Sequence, residues 1–139
     1  LPSEIRLKRI QDQIKRVLTE ILETKVNDPR VENVYITDVS VDRELDYANI
    51  YVSALGGHEQ SEEILAGLHT ASGFIRYTLS QEVKLRVMPK LRFYWDDTPD
   101  RADRIEELLL DIRKEREARG EDAVDESGEP TEDLDDQDA

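Results

Sequence analysis

The 139-residue sequence has no cysteine, one methionine, one tryptophan and two phenylalanines. Without cysteine there is no disulfide and no thiolate metal site, and a reducing compartment suits the chain. No apolar run approaches the roughly 18 residues that a membrane span needs. Nor does any stretch show the basic, apolar and small-residue order of a secretory leader. The expectation is a cytoplasmic protein with no membrane partner. Walker and dinucleotide-binding fingerprints are missing as well. The two histidines, His58 and His69, have neither ligand spacing nor a nucleophile partner. The chain is therefore expected to be no enzyme, with no catalytic residue, no metal, no cofactor and no small-molecule substrate. Its length suits one domain with a core rather than two.

What is present is charge, with a formal net of −14. Taken whole, that argues against a nucleic-acid partner, but its distribution points the other way. Ten acidic residues and no basic one lie in 120–139. Residues 73–92 hold five basic residues, Arg76, Lys84, Arg86, Lys90 and Arg92, against the single acid Glu82. Residues 1–30 hold seven basic and five acidic residues. Two basic segments thus sit in an acidic molecule, and at short range a local patch rather than net charge attracts phosphate.

The element order follows from periodicity. Ile5, Ile10, Ile14, Val17, Leu18, Ile21 and Leu22 recur at helical spacing and predict a helix from Ser3 to Lys25. It stops before Asn27-Asp28-Pro29, because a residue preceding proline avoids helical backbone. Lys8, Arg9, Lys15 and Arg16 load its first half with positive charge. Val34, Ile36, Val39 and Val41 then read as a strand with a phase break at Asp38, the mark of a bulge or bend. Ala48, Ile50, Val52 and Ala54 alternate cleanly in a second strand, linked to the first through Asp42-Arg43-Glu44 as a hairpin.

A helical run from Glu59 to Glu82 follows, with Ser72 and Gly73 as a weak point inside it. Pro89 bars helix and opens a third strand, with Leu91, Phe93 and Trp95 on one face. A charged helix from Arg101 to Arg119 comes last, with Ile105, Leu108, Leu109 and Ile112 as its stripe. The acidic 120–139 has too few apolar residues to offset ordering entropy and is expected to be disordered. The division predicted is 1–98 for the main domain, 99–119 for an appended helix and 120–139 for the tail. The fold class is α+β: a three-stranded sheet with helices packed on one face.

That order, α-β-β-α-kink-α-β, resembles a type II KH domain. The segments "DPR" at 28–30, "VSVDRELDYANIYVS" at 39–53, "ASGFIR" at 71–76, "LRVMPKLRFYWDD" at 85–97 and "RADRIEELL" at 101–109 resemble the ribosome-binding factor A family. The resemblance implies a non-enzymatic factor that binds the free small (30S) ribosomal subunit and its 16S rRNA. It implies a part in late rRNA processing and subunit maturation, above all at low temperature, and a functional link to a ribosome-associated GTPase. A monomer is expected. It also implies that the usual GxxG loop of KH domains gives way to an interhelical kink, matched here by Ala71, Ser72 and Gly73.

The amides of a helix starting at such a kink would favour phosphate, with Arg76 in its first turn. Against this, Gly73 could serve close helix packing, and Arg76 could be an ordinary solvated charge. The expected RNA-binding set is Arg76, Lys84, Arg86 and Lys90, assisted by Arg30, Lys8, Arg9, Lys15 and Arg16. Asp28-Pro29-Arg30 also reads as a helix stop with an aspartate-initiated turn, which accounts for Asp28 and Pro29 but less for Arg30, a residue that could reach a phosphate. Arg92 alternates with Leu91 and Phe93, which puts it on the other sheet face and splits the basic cluster in two. Tyr47, Tyr51 and Tyr94 share that face, as stacking platforms for bases or simply as good strand formers. Asp96, Asp97, Asp100 and Asp103 suit turn and helix-start positions as well as they suit a metal. The alternative for the whole chain is an acidic adaptor that holds a basic protein. Residues 31–72, with eight acidic residues and one basic, are its basis.

Overall fold

The computed structural model describes residues 1–120. Helix α1 spans Glu4–Thr24, one residue inside the expected limits at each end. Ser3 caps it: extended backbone at Ser3 lets its hydroxyl accept from the Arg6 amide at 3.1 Å. Ile10, Ile14, Val17, Leu18, Ile21 and Leu22 form its buried face, whereas Ile5 stays exposed. Burying such side chains stabilises by about 1.5–3 kcal/mol each, more than helix propensity supplies. A single 3-10 turn at Pro29–Val31 follows, and Val31 closes into the core.

Strand β1 (Val34–Val41) and strand β2 (Tyr47–Ala54) form an antiparallel hairpin. Their register slips between Ile36 and Asp38, where the phase break predicted a bulge. The connection is held by Asp42, whose carboxylate accepts from the Tyr47 amide and whose carbonyl accepts from the Leu45 amide. Leu45 takes a left-handed backbone there, at φ 61°.

Helix α2 covers Ser61–Glu82 as one unbroken helix of 22 residues. The interruption expected at Ala71, Ser72 and Gly73 is absent. Gly73 keeps negative φ, and the Ser72 hydroxyl donates to the His69 carbonyl at 2.8 Å without breaking the helix. There is accordingly no second helix start, and no free amides to receive a phosphate.

Strand β3 (Lys90–Trp95) runs parallel to β2, giving the order β1-β2-β3. The α2 crossover supplies the length that parallel pairing demands. Both helices lie on one sheet face, α1 over β1 and α2 over β3, and they touch each other. Ile14, Leu18, Ile21, Ile50, Val52, Leu68, Ile75 and Leu79 fill the space between. The chain divides into two compact units, Leu1–Pro99 and a second that begins at Asp100. Helix α3 (Thr98–Arg119) starts three residues before the expected Arg101. The tail expected to be disordered lies, from 121 on, outside the described residues.

Candidate nucleic-acid interface

The basic residues that the sequence groups as one patch fall in different places. Arg76 points from α2 toward the start of β3 and is half-buried. Its guanidinium donates to the carbonyls of Met88 and Pro89, at 2.5 and 3.1 Å. Those carbonyls belong to the segment that must turn from α2 into β3, and Met88 and Pro89 are themselves buried. Arg76 therefore fixes the main chain, and neither expected role, solvated charge nor first-turn phosphate ligand, describes it. Lys84, Arg86 and Lys90 sit around that fixed turn, and all three are exposed. The Lys84 ammonium donates to the Gln81 carbonyl at 3.0 Å, favourable at a helix C-terminus.

Arg30 lies at the other end of the sheet, beside Ala54 and the Gly56-Gly57 turn. It forks onto Asp28: Nε is 3.2 Å from both carboxylate oxygens and a terminal nitrogen 2.8 Å from Oδ2. This side-chain pairing, with the Arg30 amide also donating to Asp28, holds the Asp28 carboxyl below its ordinary pKa. It raises the Arg30 guanidinium in return. Arg30 thus belongs to the turn and not to the basic cluster at the start of β3.

Close by is Gly67, a glycine that the sequence patterns above do not single out. A Cβ on Gly67 would stand 3.2 Å from Arg30 Cβ and Val31 Cγ1, whereas one on Gly73 would meet nothing within 4 Å. Close packing is thus the task of Gly67. A signal for it exists in the sequence, since Gly67 shares the face of Ile64 and Leu68, and Gly73 lies on the opposite side of the helix.

The α1 cations form a separate cluster on the β1 side. Lys8 pairs with Asp12 at 3.2 Å, and Lys15 donates to the Thr37 carbonyl at the bulge, at 3.3 Å. Arg9 and Arg16, one helical repeat apart, are exposed.

Two further surfaces adjoin β3. Among the described residues only β2 pairs with it, which leaves its other edge without a strand partner there. Along that edge runs a groove of about 490 Å³ lined by Leu65, Ala66 and His69 of α2 and by Leu91, Arg92, Phe93 and Tyr94. On the sheet face away from the helices lie Tyr47, Asn49, Tyr51, Arg92 and Tyr94, as the alternation required. Among the described residues no group of three or more acidic residues, histidines or cysteines gathers as a metal site. Asp96 is occupied instead: it accepts from the Thr37 hydroxyl at 2.6 Å and caps the Thr98 amide at 3.0 Å. No described helix is long and apolar enough to cross a membrane.

Known proteins match this arrangement. The family model of ribosome-binding factor A fits residues 6–109. A ribosome-binding factor A from Alcanivorax borkumensis is 45% identical over 125 residues, which cover 88% of this chain and 90% of that one. Among solved structures, the crystal structure of ribosome-binding factor A from Thermus thermophilus aligns with a TM-score of 0.59 at 25% identity. It covers 64% of this chain and 93% of the other. Coordinates of the Thermus protein fitted into a cryo-EM map of its 30S complex align at 0.53 with 27% identity, over 63% of this chain and 93% of that one. With the α+β sheet order and a match across nearly all of Leu1–Pro99, the chain belongs to the ribosome-binding factor A family.

Proposed function

We propose that this protein is a non-enzymatic assembly factor that binds the free 30S subunit through its 16S rRNA. It acts as a cytoplasmic monomer in late rRNA processing and subunit maturation, with its largest effect at low temperature, and a ribosome-associated GTPase promotes its release. The observation that carries this reading is family membership across residues 6–109, together with a relative whose coordinates were fitted to a 30S complex.

The contact surface is the cationic cluster of Lys84, Arg86 and Lys90 at the start of β3. The α1 cations Lys8, Arg9, Lys15 and Arg16 form a second and weaker one, since Lys8 is partly neutralised by Asp12. Physically, binding energy is directed at one rRNA conformation, which raises the population of that folding intermediate. Arg76 contributes indirectly, by holding the turn that presents the cluster.

Co-sedimentation with purified 30S subunits, with and without RNase treatment of the particles, tests the reading. The protein should pellet with intact subunits and be released by RNase. Retention after digestion would instead support the acidic-adaptor alternative, in which residues 31–72 hold a basic protein.

A further inference from the structure

The outer sheet face has a composition unlike the rest of the molecule. Four of the chain's five tyrosines lie on β1, β2 and β3, and none of the four points fully into the core. In register, Tyr51 stands opposite Tyr94 and Asn49 opposite Arg92. The Tyr51 and Tyr94 rings stack with centroids 5.6 Å apart and planes 27° from parallel. The Arg92 guanidinium lies over the Tyr47 ring, 3.8 Å from its centroid, while its Nε donates to Asn49 Oδ1 at 3.1 Å. Tyr47 and Tyr94 keep 36% and 41% of their surface open, and Lys90 is exposed opposite Tyr47.

We infer that this face is a stacking platform for unpaired RNA bases, adjoining at Lys90 the cationic cluster that contacts phosphate. Three observations select that occupant. First, three tyrosine rings and a guanidinium plane stand in adjacent register positions, the kind of surface on which successive bases stack. Second, its planar groups are already ordered against one another, which lowers the entropy lost when a base stacks. Third, this face sets the cations Arg92 and Lys90 beside the acid Asp38, which stands opposite Tyr51, in a chain whose net charge is −14. The two cations lie at the Tyr47 end of the face and the acids Asp38 and Asp96 at the Tyr51 end, so the phosphates that accompany bases are favoured beside Tyr47.

From Tyr47 to Tyr51 the strand rises about 13 Å, a span on which sheet-based RNA binders place two or three bases. Arg92 and Tyr94 also line the groove along the open edge of β3, so a strand lying in the groove can turn its bases onto the face. The occupant rests on the rRNA-binding reading proposed above.

The test uses the full chain and a single-stranded 12-nucleotide oligouridine carrying 4-thiouridine, with crosslinks mapped by mass spectrometry and affinity read by anisotropy. Crosslinks should fall on Tyr47, Tyr51 or Tyr94, and not on Tyr77, which is 66% exposed on α2 and serves as the internal control. Tyr51→Leu with Tyr94→Leu should weaken oligonucleotide binding by roughly 5–150-fold, the cost of one lost base stack. Arg92→Lys keeps the charge but loses the stacked plane; it should weaken binding with an unchanged salt slope, and remains informative if the double variant fails to fold. Crosslinks confined to Tyr77, or wild-type affinity in both variants, would overturn the platform. The 30S pelleting assay separates the two proposals. Wild type that fails to pellet removes the assembly-factor reading, while platform crosslinks from the same sample would still uphold the stacking site.

Discussion

Replacing Arg76 by Met distinguishes a structural arginine from a phosphate ligand. The side chain keeps most of its apolar length and loses two hydrogen bonds, to the Met88 and Pro89 carbonyls. Hydrogen bonds from a charged donor contribute about 1.5–3 kcal/mol each. Allowing for the partial exposure of Arg76, the pair should contribute about 2–4 kcal/mol. For a unit of this size that lowers Tm by roughly 8–32 °C, at about 4–8 °C per kcal/mol. Arg76→Lys presents one ammonium to two carbonyls and should fall between Met and wild type. Arg86→Met is the control. Arg86 is exposed, so its loss should stay within about 0.5 kcal/mol. Thermal and urea unfolding followed by far-UV circular dichroism supply the numbers. If Arg76→Met melts with wild type and loses only subunit binding, Arg76 is a ligand and its assignment to the turn is wrong.

The two glycines of α2 should respond in opposite directions. Gly73→Ala faces open space and should gain about 0.5–1 kcal/mol from helix propensity. Gly67→Ala must push against Arg30 and Val31 and should gain nothing or lose stability; equal gains at both sites in urea titrations would contradict the packing described. The Asp28–Arg30 fork sets a pH dependence. Because the folded state holds the Asp28 carboxyl below its ordinary value, the carboxyl stabilises above the unfolded pKa, and that contribution is lost as pH falls through the folded one. Asp28→Asn should therefore flatten the stability profile below about pH 4. Melting curves recorded from pH 7 downward that stay parallel for the two proteins would refute the pairing.

Much of the fold was legible because it rests on local periodicity. The apolar stripe of α1, the alternation in β2 and the slip near Asp38 each encode their own geometry. So does the position of Tyr47, Tyr51, Arg92 and Tyr94 on one face, since a strand's period of two permits nothing else. The interaction site was less legible, for a specific reason. Arg76, Lys84, Arg86 and Lys90 look alike as charges, yet Arg76 has main-chain partners twelve and thirteen residues away. No spacing rule reports such a partner. Arg30 differs: its partner Asp28 is only two residues off, yet the turn reading covered Asp28 and Pro29 and left Arg30 to a phosphate. At Ser72-Gly73 the helix is not broken. Ile75 and Leu79 continue the buried face of Ile64 and Leu68 in phase, so tertiary packing keeps the helix continuous through this point.

The central claim is that Lys84, Arg86 and Lys90 bring rRNA phosphate to this protein, and salt dependence measures it most directly. The affinity for 30S subunits should be recorded across a range of salt for wild type and for the triple variant Lys84→Gln, Arg86→Gln, Lys90→Gln. A matched triple change of Arg113, Lys114 and Arg116 on α3 is the control. Removing one phosphate interaction makes the slope of log K against log salt shallower by roughly 0.7–0.9. The cluster variant should show a slope shallower by roughly 2–2.7, with the control unchanged. An unchanged slope in the cluster variant, or an equal loss in the control, would contradict it.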